Sequence, residues 1–250
     1  MDEEAKQRIR QPKPSGRRGV VAYLRRRHGP LTSLVLTVPV FLVYHLGILA
    51  IDLRNGVDIV SKVTFRLLDY STLAYAGVTL GVAVGIGGAA WWMRRKDRFH
   101  PREIVPVLVE STVLALAMSV VVGWATRTLF SAQIGGRDLD AFEKLVMAAG
   151  AGFHEELVFR VVLFAGGAWL LQRLAKLRRL EALLAAGVVT SLAFSAVHYV
   201  GALGDEFQLS SFTFRALAGG FFALIYAWRG FAVAVYTHTL YDVYVFFVYG

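Results

Sequence analysis

Four polar or ionisable residues lie close together in an otherwise apolar segment, AAGAGFHEELVFRVVLFAGGAWLL (residues 148–171): His154, Glu155, Glu156 and Arg160. A charge inside a lipid bilayer is costly, so such residues indicate a functional site. Glu156 and Arg160 are four positions apart and share one face of an α-helix, so we expect them to form an ion pair. Glu155 points about 100° away from Glu156 and has no local cation. Glu155 is therefore the residue that needs a chemical role.

Partners for Glu155 occur in two later apolar segments. His198 lies in LAFSAVHYV with Phe194 four residues before it, and His238 lies in VAVYTHTLYDVYVFF with Asp242 four residues after it. A lone histidine in a helix is usually a satisfied interior residue, but costly groups in three separate segments favour one shared site. Measured from the basic ends of their segments, Glu155, His198 and Asp242 lie on the order of 24, 24 and 15 Å deep, which is roughly one layer.

These residue types are suited to hydrolysis. A carboxylate beside an imidazole can deprotonate water, and hydrogen-bond donors opposite can stabilise an oxyanion, so an amide can be hydrolysed without a covalent intermediate. Other proteolytic patterns fit less well, because Val158 replaces the second histidine of H-E-x-x-H and no G-x-S-x-G or G-x-S-G motif is present. The GxGD half of the aspartyl-protease pattern is missing as well. A zinc site built from Glu155, His198 and His238 stays open.

The elements that must position these residues are membrane helices. Hydrophobic residues make up 56% of the 250-residue chain and the mean hydropathy is +0.53, which is unlike a soluble domain. Apolar runs of about 18 residues or more cross a bilayer as helices. We therefore predict an all-α, polytopic integral membrane bundle with about seven transmembrane segments, at residues 31–52, 72–93, 103–126, 144–171, 182–203, 212–228 and 231–249. Residues 53–70 are predicted to form an amphipathic helix along the outer interface.

The formal net charge of +9 is distributed in the positive-inside pattern of membrane proteins. Basic residues crowd the tail 1–28 and the loops after the second and fourth segments, whereas residues 53–70, 127–142 and 204–211 are balanced or acidic. The pattern predicts a cytoplasmic N-terminus and an external C-terminus. It also favours contact of the basic regions with anionic lipid headgroups over a nucleic-acid partner. The chain contains no cysteine, which excludes thiol nucleophiles and thiolate metal sites.

The three spaced motifs, taken together and in this order, resemble those of the CPBP intramembrane proteases: Glu155-Glu156-x-x-x-Arg160, Phe194-x-x-x-His198 and His238-x-x-x-Asp242. That family includes the type II CAAX prenyl endopeptidases and bacteriocin-processing or self-immunity proteins. The resemblance covers about residues 105–250, the family-like core of a single transmembrane protease domain predicted at 29–250 after the basic cytoplasmic tail 1–28.

The resemblance implies a glutamic-type intramembrane endopeptidase. Because no cysteine or H-E-x-x-H pattern supports tight zinc binding, we expect that it uses no metal or other cofactor. By analogy, Glu155 with His198 activates water, and His238 with Asp242 lines the oxyanion side. The residues that support the site are, by the same analogy, Glu156, Arg160 and Phe194. The last motif position is often asparagine in the family, and an ionised aspartate cannot donate a hydrogen bond to an oxyanion. Either Asp242 is protonated or it accepts a hydrogen bond from His238 and fixes its tautomer, and we expect the second.

The predicted substrate is a membrane-anchored or exported protein, and the predicted location is the bacterial inner (plasma) membrane. The site is expected to face outward, where the small residues Gly150, Ala151 and Gly152 would leave room for a substrate segment. Two alternative hypotheses stay open: a non-catalytic membrane scaffold or immunity protein of the same family, and a zinc-dependent intramembrane protease. Outside the motifs, His154 is expected at the cavity surface, and Glu110 is expected either in the cavity or paired with a polar neighbour.

Overall fold

The protein is a helical integral membrane protein. The computed structural model describes residues 23–24, 27–51, 55, 58–95, 99, 101–129, 139–200 and 204–248, so most of the predicted tail 1–28 lies outside the described residues. Every regular element in the described ranges is a helix, and seven helical segments there are long and apolar enough to cross a membrane. These spans are Pro30–Gly47, Thr72–Met93, Pro101–Ala125, Ala141–Leu174, Arg179–Tyr199, Leu209–Arg229 and Phe231–Val248. The predicted all-α bundle is confirmed.

We name the helices in chain order: α1 (Pro30–Gly47), α2 (Ile59–Leu67), α3 (Thr72–Met93), α4 (Ile104–Leu129), α5 (Ala141–Leu174), α6 (Arg179–Ala196), α7 (Leu209–Arg229) and α8 (Phe231–Val248). A 3₁₀ turn, Val197–Tyr199, extends α6. Helix α2 is the short helix expected within residues 53–70, and its Phe65 ring stacks on Tyr75 of α3 at a centroid distance of 4.0 Å. This stacking fixes α2 against the bundle.

Local sequence signals begin several of these helices. Pro30 occupies the first turn of α1, where its missing N–H costs nothing. The Asp58 carboxylate accepts a hydrogen bond from the backbone N–H of Ser61 and so caps α2. Asp140 and Glu143 form a reciprocal capping box at the start of α5. The start of the helix that carries the first motif is thus set by its own sequence.

Helix α8 lies at the centre of the bundle and packs against α1, α4, α5 and α7. Its residues Ala232, Val233, Ala234 and Val235 are each at most 1% exposed. Small and β-branched side chains let neighbouring helix backbones approach closely, which is how membrane helices associate when lipid supplies no hydrophobic drive. The third motif, on α8, is therefore surrounded by the other spans.

Successive spans alternate in direction, so the connections lie on two faces. The carboxyl ends of α1, α4, α6 and α8 and the amino ends of α3, α5 and α7 lie at one face, which we call the site face. The opposite helix ends, with residues 175–178 between α5 and α6, lie at the other face, which we call the basic face.

At the basic face, Glu110 pairs with polar neighbours, which decides between its two alternatives. Arg229 Nε and Nη2 lie 2.6 and 2.9 Å from the two carboxylate oxygens of Glu110, and the Tyr23 hydroxyl donates to Glu110 at 2.8 Å. Burial, followed by the hydrogen bond to Glu110, raises the pKa of Tyr23 well above its ordinary value. The hydroxyl therefore stays protonated and keeps donating. These contacts fasten the segment before α1 to α4 and α7.

Candidate active site

A cavity of about 700 Å³ lies in the half of the bundle nearer the site face. This volume is within the range of sites that enclose a ligand. His198 stands one residue before Tyr199, where the fifth span ends, and Asn55 belongs to the connection between α1 and α2. The polar residues of the cavity wall come from all three motifs and from the connection between α1 and α2. They include Asn55, Glu155, His198, His238 and Asp242. Aromatic and apolar side chains complete the wall, among them Met147, Phe194, Phe214, Phe222, Tyr241 and Tyr244.

Helix α5 departs from a regular α-helix at the first motif, because residues 151–155 and 157–165 are π-helical. Spacing arguments based on a regular helix could not foresee this change. π-Helical turns are rare and occur often at functional sites. The first of these stretches contains Glu155, which lines the cavity, and Glu156 lies between the two stretches and is fully buried.

Two glycines let α5 pack closely against its neighbours. A Cβ at Gly152 would overlap Thr239 Oγ1 and lie 2.9 Å from the Val235 carbonyl oxygen of α8. A Cβ at Gly150 would overlap the Tyr44 ring of α1. The space beside Gly150 and Gly152 is filled by the protein itself, so our expectation that these two residues leave room for a substrate segment is wrong. Ala151, the third of these small residues, lines the cavity.

Glu155 stands between the two motif histidines. Its side chain is almost fully buried, and Oε1 accepts a hydrogen bond from Asn55 Nδ2 at 3.0 Å. Oε2 lies 3.9 Å from His198 Nε2 and 3.9 Å from His238 Nε2. These separations are too long for direct hydrogen bonds and suit one water molecule bound between the groups. The fold thus brings together three residues that are far apart in the sequence.

Glu156 connects the first motif to the third. Arg160 Nε lies 3.0 Å from Glu156 Oε2, and both side chains are fully buried, so the ion pair predicted from their spacing forms. The other oxygen, Oε1, lies 2.9 Å from His238 Nδ1. Our expectation that Asp242 accepts a hydrogen bond from His238 and fixes its tautomer is wrong. Asp242 lies 3.6 Å from Nε2 of His238, beyond hydrogen-bond distance, and the residue that holds the ring is Glu156, at Nδ1.

Phe194 supports the second motif through its backbone and its ring. Its carbonyl oxygen accepts a hydrogen bond from His198 Nδ1 at 2.8 Å, which leaves the lone pair of Nε2 facing Glu155. Its buried ring lies edge-on to the His198 ring, and the Arg160 guanidinium lies 4.8 Å from the ring centroid. The backbone N–H of Asp205 donates to the His198 carbonyl oxygen at 2.9 Å and closes the turn. These contacts fix both the ring and the backbone carbonyl of His198.

His154 does not line the cavity, contrary to our expectation. Its Nδ1 lies 3.2 Å from the carbonyl oxygen of Gly150, and its Nε2 lies 3.4 Å from the Asp58 carboxylate. The side chain is buried between α5 and the start of α2. Adjacent residues of a helix point in different directions, so His154 faces α2 while Glu155 faces the cavity. His154 thereby joins the connection after α1 to α5.

Three carboxylates surround the ring of His238. Glu156 lies at Nδ1, and Asp242 and Glu155 lie at Nε2 at 3.6 and 3.9 Å. A ring that carries both protons suits this setting, since its positive charge faces three carboxylates and its Nδ1–H donates to Glu156, whereas a metal-binding imidazole must be neutral. Among the described residues, no group of three or more His, Asp or Glu is arranged to hold a metal ion. The arrangement favours acid–base chemistry.

Asn55 is the cavity residue that sequence reasoning missed. It belongs to a segment that we interpreted only as amphipathic, and no spacing rule connects it with Glu155, one hundred residues later. A single asparagine in a loop has no periodic partner that could signal a role. Its position became apparent only from the fold.

Comparison with known proteins agrees with the motifs. Residues 139–244 match a family model described as type II CAAX prenyl endopeptidase Rce1-like. No curated protein and no solved structure matches the chain significantly. The matched segment contains all three motifs, whereas Asn55 lies outside it. At the level of the family, the match implies a peptidase of the CAAX-type intramembrane class. The chain therefore carries an Rce1-like domain at residues 139–244, and this domain matches the CPBP family that its motifs resemble.

Proposed function

We propose that this protein is an intramembrane endopeptidase that hydrolyses a peptide bond of a membrane-associated or exported protein by glutamate- and histidine-activated water. The observation that carries the proposal is the position of Glu155 Oε2, 3.9 Å from Nε2 of His198 and 3.9 Å from Nε2 of His238, at the wall of a cavity of about 700 Å³. The family match supports peptidase chemistry in general.

Glu155 and His198 are the residues that we propose activate water. The Nδ1–H of His198 donates to the Phe194 carbonyl, so Nε2 is the acceptor that faces Glu155. A water held between Oε2 and Nε2 transfers a proton to Glu155 as its oxygen attacks the scissile carbonyl carbon. The same proton then passes to the leaving amide nitrogen, the C–N bond breaks, and the carboxylate is restored.

His238 is the residue that we propose stabilises the oxyanion. When its ring carries both protons, Nδ1–H donates to Glu156 and Nε2–H is left to donate to the negative oxygen of the tetrahedral intermediate. Asp242, which lies 3.6 Å from Nε2, would keep the ring protonated by its charge and need not donate itself. This assignment gives Asp242 a role that does not require it to donate a proton.

The substrate that we propose is a membrane-anchored or exported protein, processed in the inner membrane of a bacterium. The site face carries the balanced or acidic connections, and the basic face would contact anionic lipid headgroups of the cytoplasmic leaflet. The aromatic side chains of the cavity wall suit the apolar end of a membrane segment. Under this proposal, cleavage takes place near the external end of the substrate's own span.

The test is quantitative proteomics of membrane fractions from cells that express either the wild-type chain or Glu155→Gln. Glutamine keeps the size of the side chain and can still accept from Asn55, but it cannot take a proton from water. We expect an uncleaved precursor to accumulate with Glu155→Gln. The exposed Glu181→Gln serves as a matched control that should process the precursor normally.

A purified preparation then separates this function from its rivals. Wild-type protein should cut a peptide that spans the precursor's cleavage site, and Glu155→Gln should not, although it is folded. Full cleavage by Glu155→Gln would remove Glu155 as the base. Unchanged cell physiology together with unchanged precursors in Glu155→Gln cells would instead favour a non-catalytic scaffold or immunity protein.

A further inference from the structure

The connection between α1 and α2 reaches into the candidate active site although it belongs to none of the three motifs. Asn55 is 5% exposed, forms part of the cavity wall, and lies outside the matched segment 139–244. Its Nδ2 donates to Glu155 Oε1 at 3.0 Å. The amino-terminal part of the chain therefore contacts the residue to which we assign the base.

This contact distinguishes the two oxygens of Glu155. A carboxylate side chain can rotate about its last bond, and either oxygen can then face a bound water. With Oε1 held by Asn55, Oε2 is the oxygen that faces His198 and His238. A base must keep its acceptor oxygen within hydrogen-bond reach of the proton it removes, so a fixed rotation favours the reaction.

The position of Asn55 is itself fixed by a buried network. Its backbone N–H donates to the Tyr44 hydroxyl at 3.0 Å, and that hydroxyl donates to Asp58 at 2.7 Å. Asp58 also accepts from the backbone N–H of Ser61 at 2.8 Å and lies 3.4 Å from His154 Nε2. Tyr44 and Asp58 are fully buried. Hydrogen bonds to buried groups of this kind hold a loop in one conformation, because breaking one leaves an unpaired polar group.

We propose that Asn55 is a positioning residue that orients the Glu155 carboxylate for water activation. This inference rests on the proposed function, because it assumes that Glu155 is the base. It assigns part of the active site to the chain before residue 139. Tyr44 and Asp58, the buried residues next to His154, then hold Asn55 in place.

The kinetic test uses the peptide that spans the cleavage site of the precursor accumulating in Glu155→Gln cells. For Asn55→Ala we expect kcat to fall by roughly ten- to one-hundredfold, the effect of losing one hydrogen bond to a charged group. KM should stay unchanged, because the hydrogen bond that is lost is made to Glu155 and not to the substrate. Asn55→Asp keeps the shape of the side chain but places a second carboxylate beside Glu155. At alkaline pH it should therefore be less active than Asn55→Ala.

The order of the two variants separates positioning from packing. A residue that only fills space would tolerate Asn55→Asp better than Asn55→Ala, so that order would overturn the proposal. A raised KM with unchanged kcat would also overturn it, because it would make Asn55 a substrate contact. If wild-type protein cuts no precursor at all, the proposed function fails, and the placement of Asn55 is judged by a separate measurement.

That measurement uses the absence of cysteine from the chain. The double variant Asn55→Cys with Glu155→Cys should be joined within one chain by a short bifunctional thiol reagent, with the linked peptides identified by mass. The control pair Lys62→Cys with Glu155→Cys places the first thiol on the exposed side of α2 and should not be joined. Equal linking of the two pairs, or linking of the control pair alone, would show that Asn55 does not lie beside Glu155.

Discussion

Glu156 Oε1 lies 2.9 Å from His238 Nδ1, so the carboxylate that pairs with Arg160 also holds the histidine of the third motif. Glu156 and Arg160 are fully buried, and His238 is 4% exposed. One side chain thus neutralises a buried cation and orients a ring in the candidate site. Glu156 therefore contributes both to the stability of the fold and to the geometry of the candidate site.

Glu156→Gln is expected to destabilise the protein strongly. The change leaves the Arg160 guanidinium without its counter-charge, and breaking a buried ion pair from one side costs about 3–5 kcal/mol. Denaturant or thermal unfolding of the purified protein in detergent micelles measures the loss. Glu155→Gln, one position away, keeps an acceptor for Asn55 and leaves the counter-charge of Arg160 in place, so it should unfold close to wild type. Equal stability of wild type and Glu156→Gln would contradict a structural role for the pair.

Much of this fold is predictable from sequence because membrane spans leave a strong local signal. All seven predicted segments overlap the spans of the structure, and the Glu156–Arg160 pair follows from spacing of i to i+4. These features depend on residues close together in the chain. The meeting of Glu155, His198 and His238 was also predictable, since charges in lipid require shared partners.

Other parts of the site depend on contacts that no local pattern records. The hydrogen bond from Asn55 joins positions one hundred residues apart, and Glu156 of α5 contacts His238 of α8. The π-helical stretches at residues 151–155 and 157–165 are not signalled by spacing rules, which assume a regular helix. We interpreted Gly152 as room for a substrate because the residue is small. The space beside it is filled by Thr239, which belongs to a different span, so no local pattern records the contact.

Gly152→Ala is expected to disrupt the contact between α5 and α8. The added methyl group would overlap Thr239 Oγ1, and forcing an extra carbon into a packed interface costs about 1–3 kcal/mol. Because the displaced helices carry Glu155 and His238, cleavage should fall as well. The matched control is Gly167→Ala in the same helix, where the nearest atom to the new carbon is 3.9 Å away. Unfolding and cleavage assays on both variants decide the matter, and equal behaviour of the two would contradict the packing argument.

Cleavage is expected to survive removal of metal ions. Both nitrogens of His238 face carboxylates, which favours a protonated ring over a metal ligand. The measurement is proteolysis by protein treated with a strong chelator, with elemental analysis of the same sample. Stoichiometric zinc whose removal abolishes activity, and whose return restores it, would establish the zinc-dependent alternative and a metal-activated water.

The site face is expected to lie outside the cytoplasm. Basic residues next to the helix ends at the opposite face include Arg94, Arg95, Arg102, Lys176 and Arg178, and such residues stay on the cytoplasmic side. Since the chain has no cysteine, single thiols can report the orientation. Glu206→Cys, at an exposed position of the cavity wall, should react with an impermeant thiol reagent in intact cells. Arg178→Cys, exposed on the basic face, should react only after the membrane is permeabilised. The reverse labelling pattern would place the site face in the cytoplasm and with it the cleavage of the substrate.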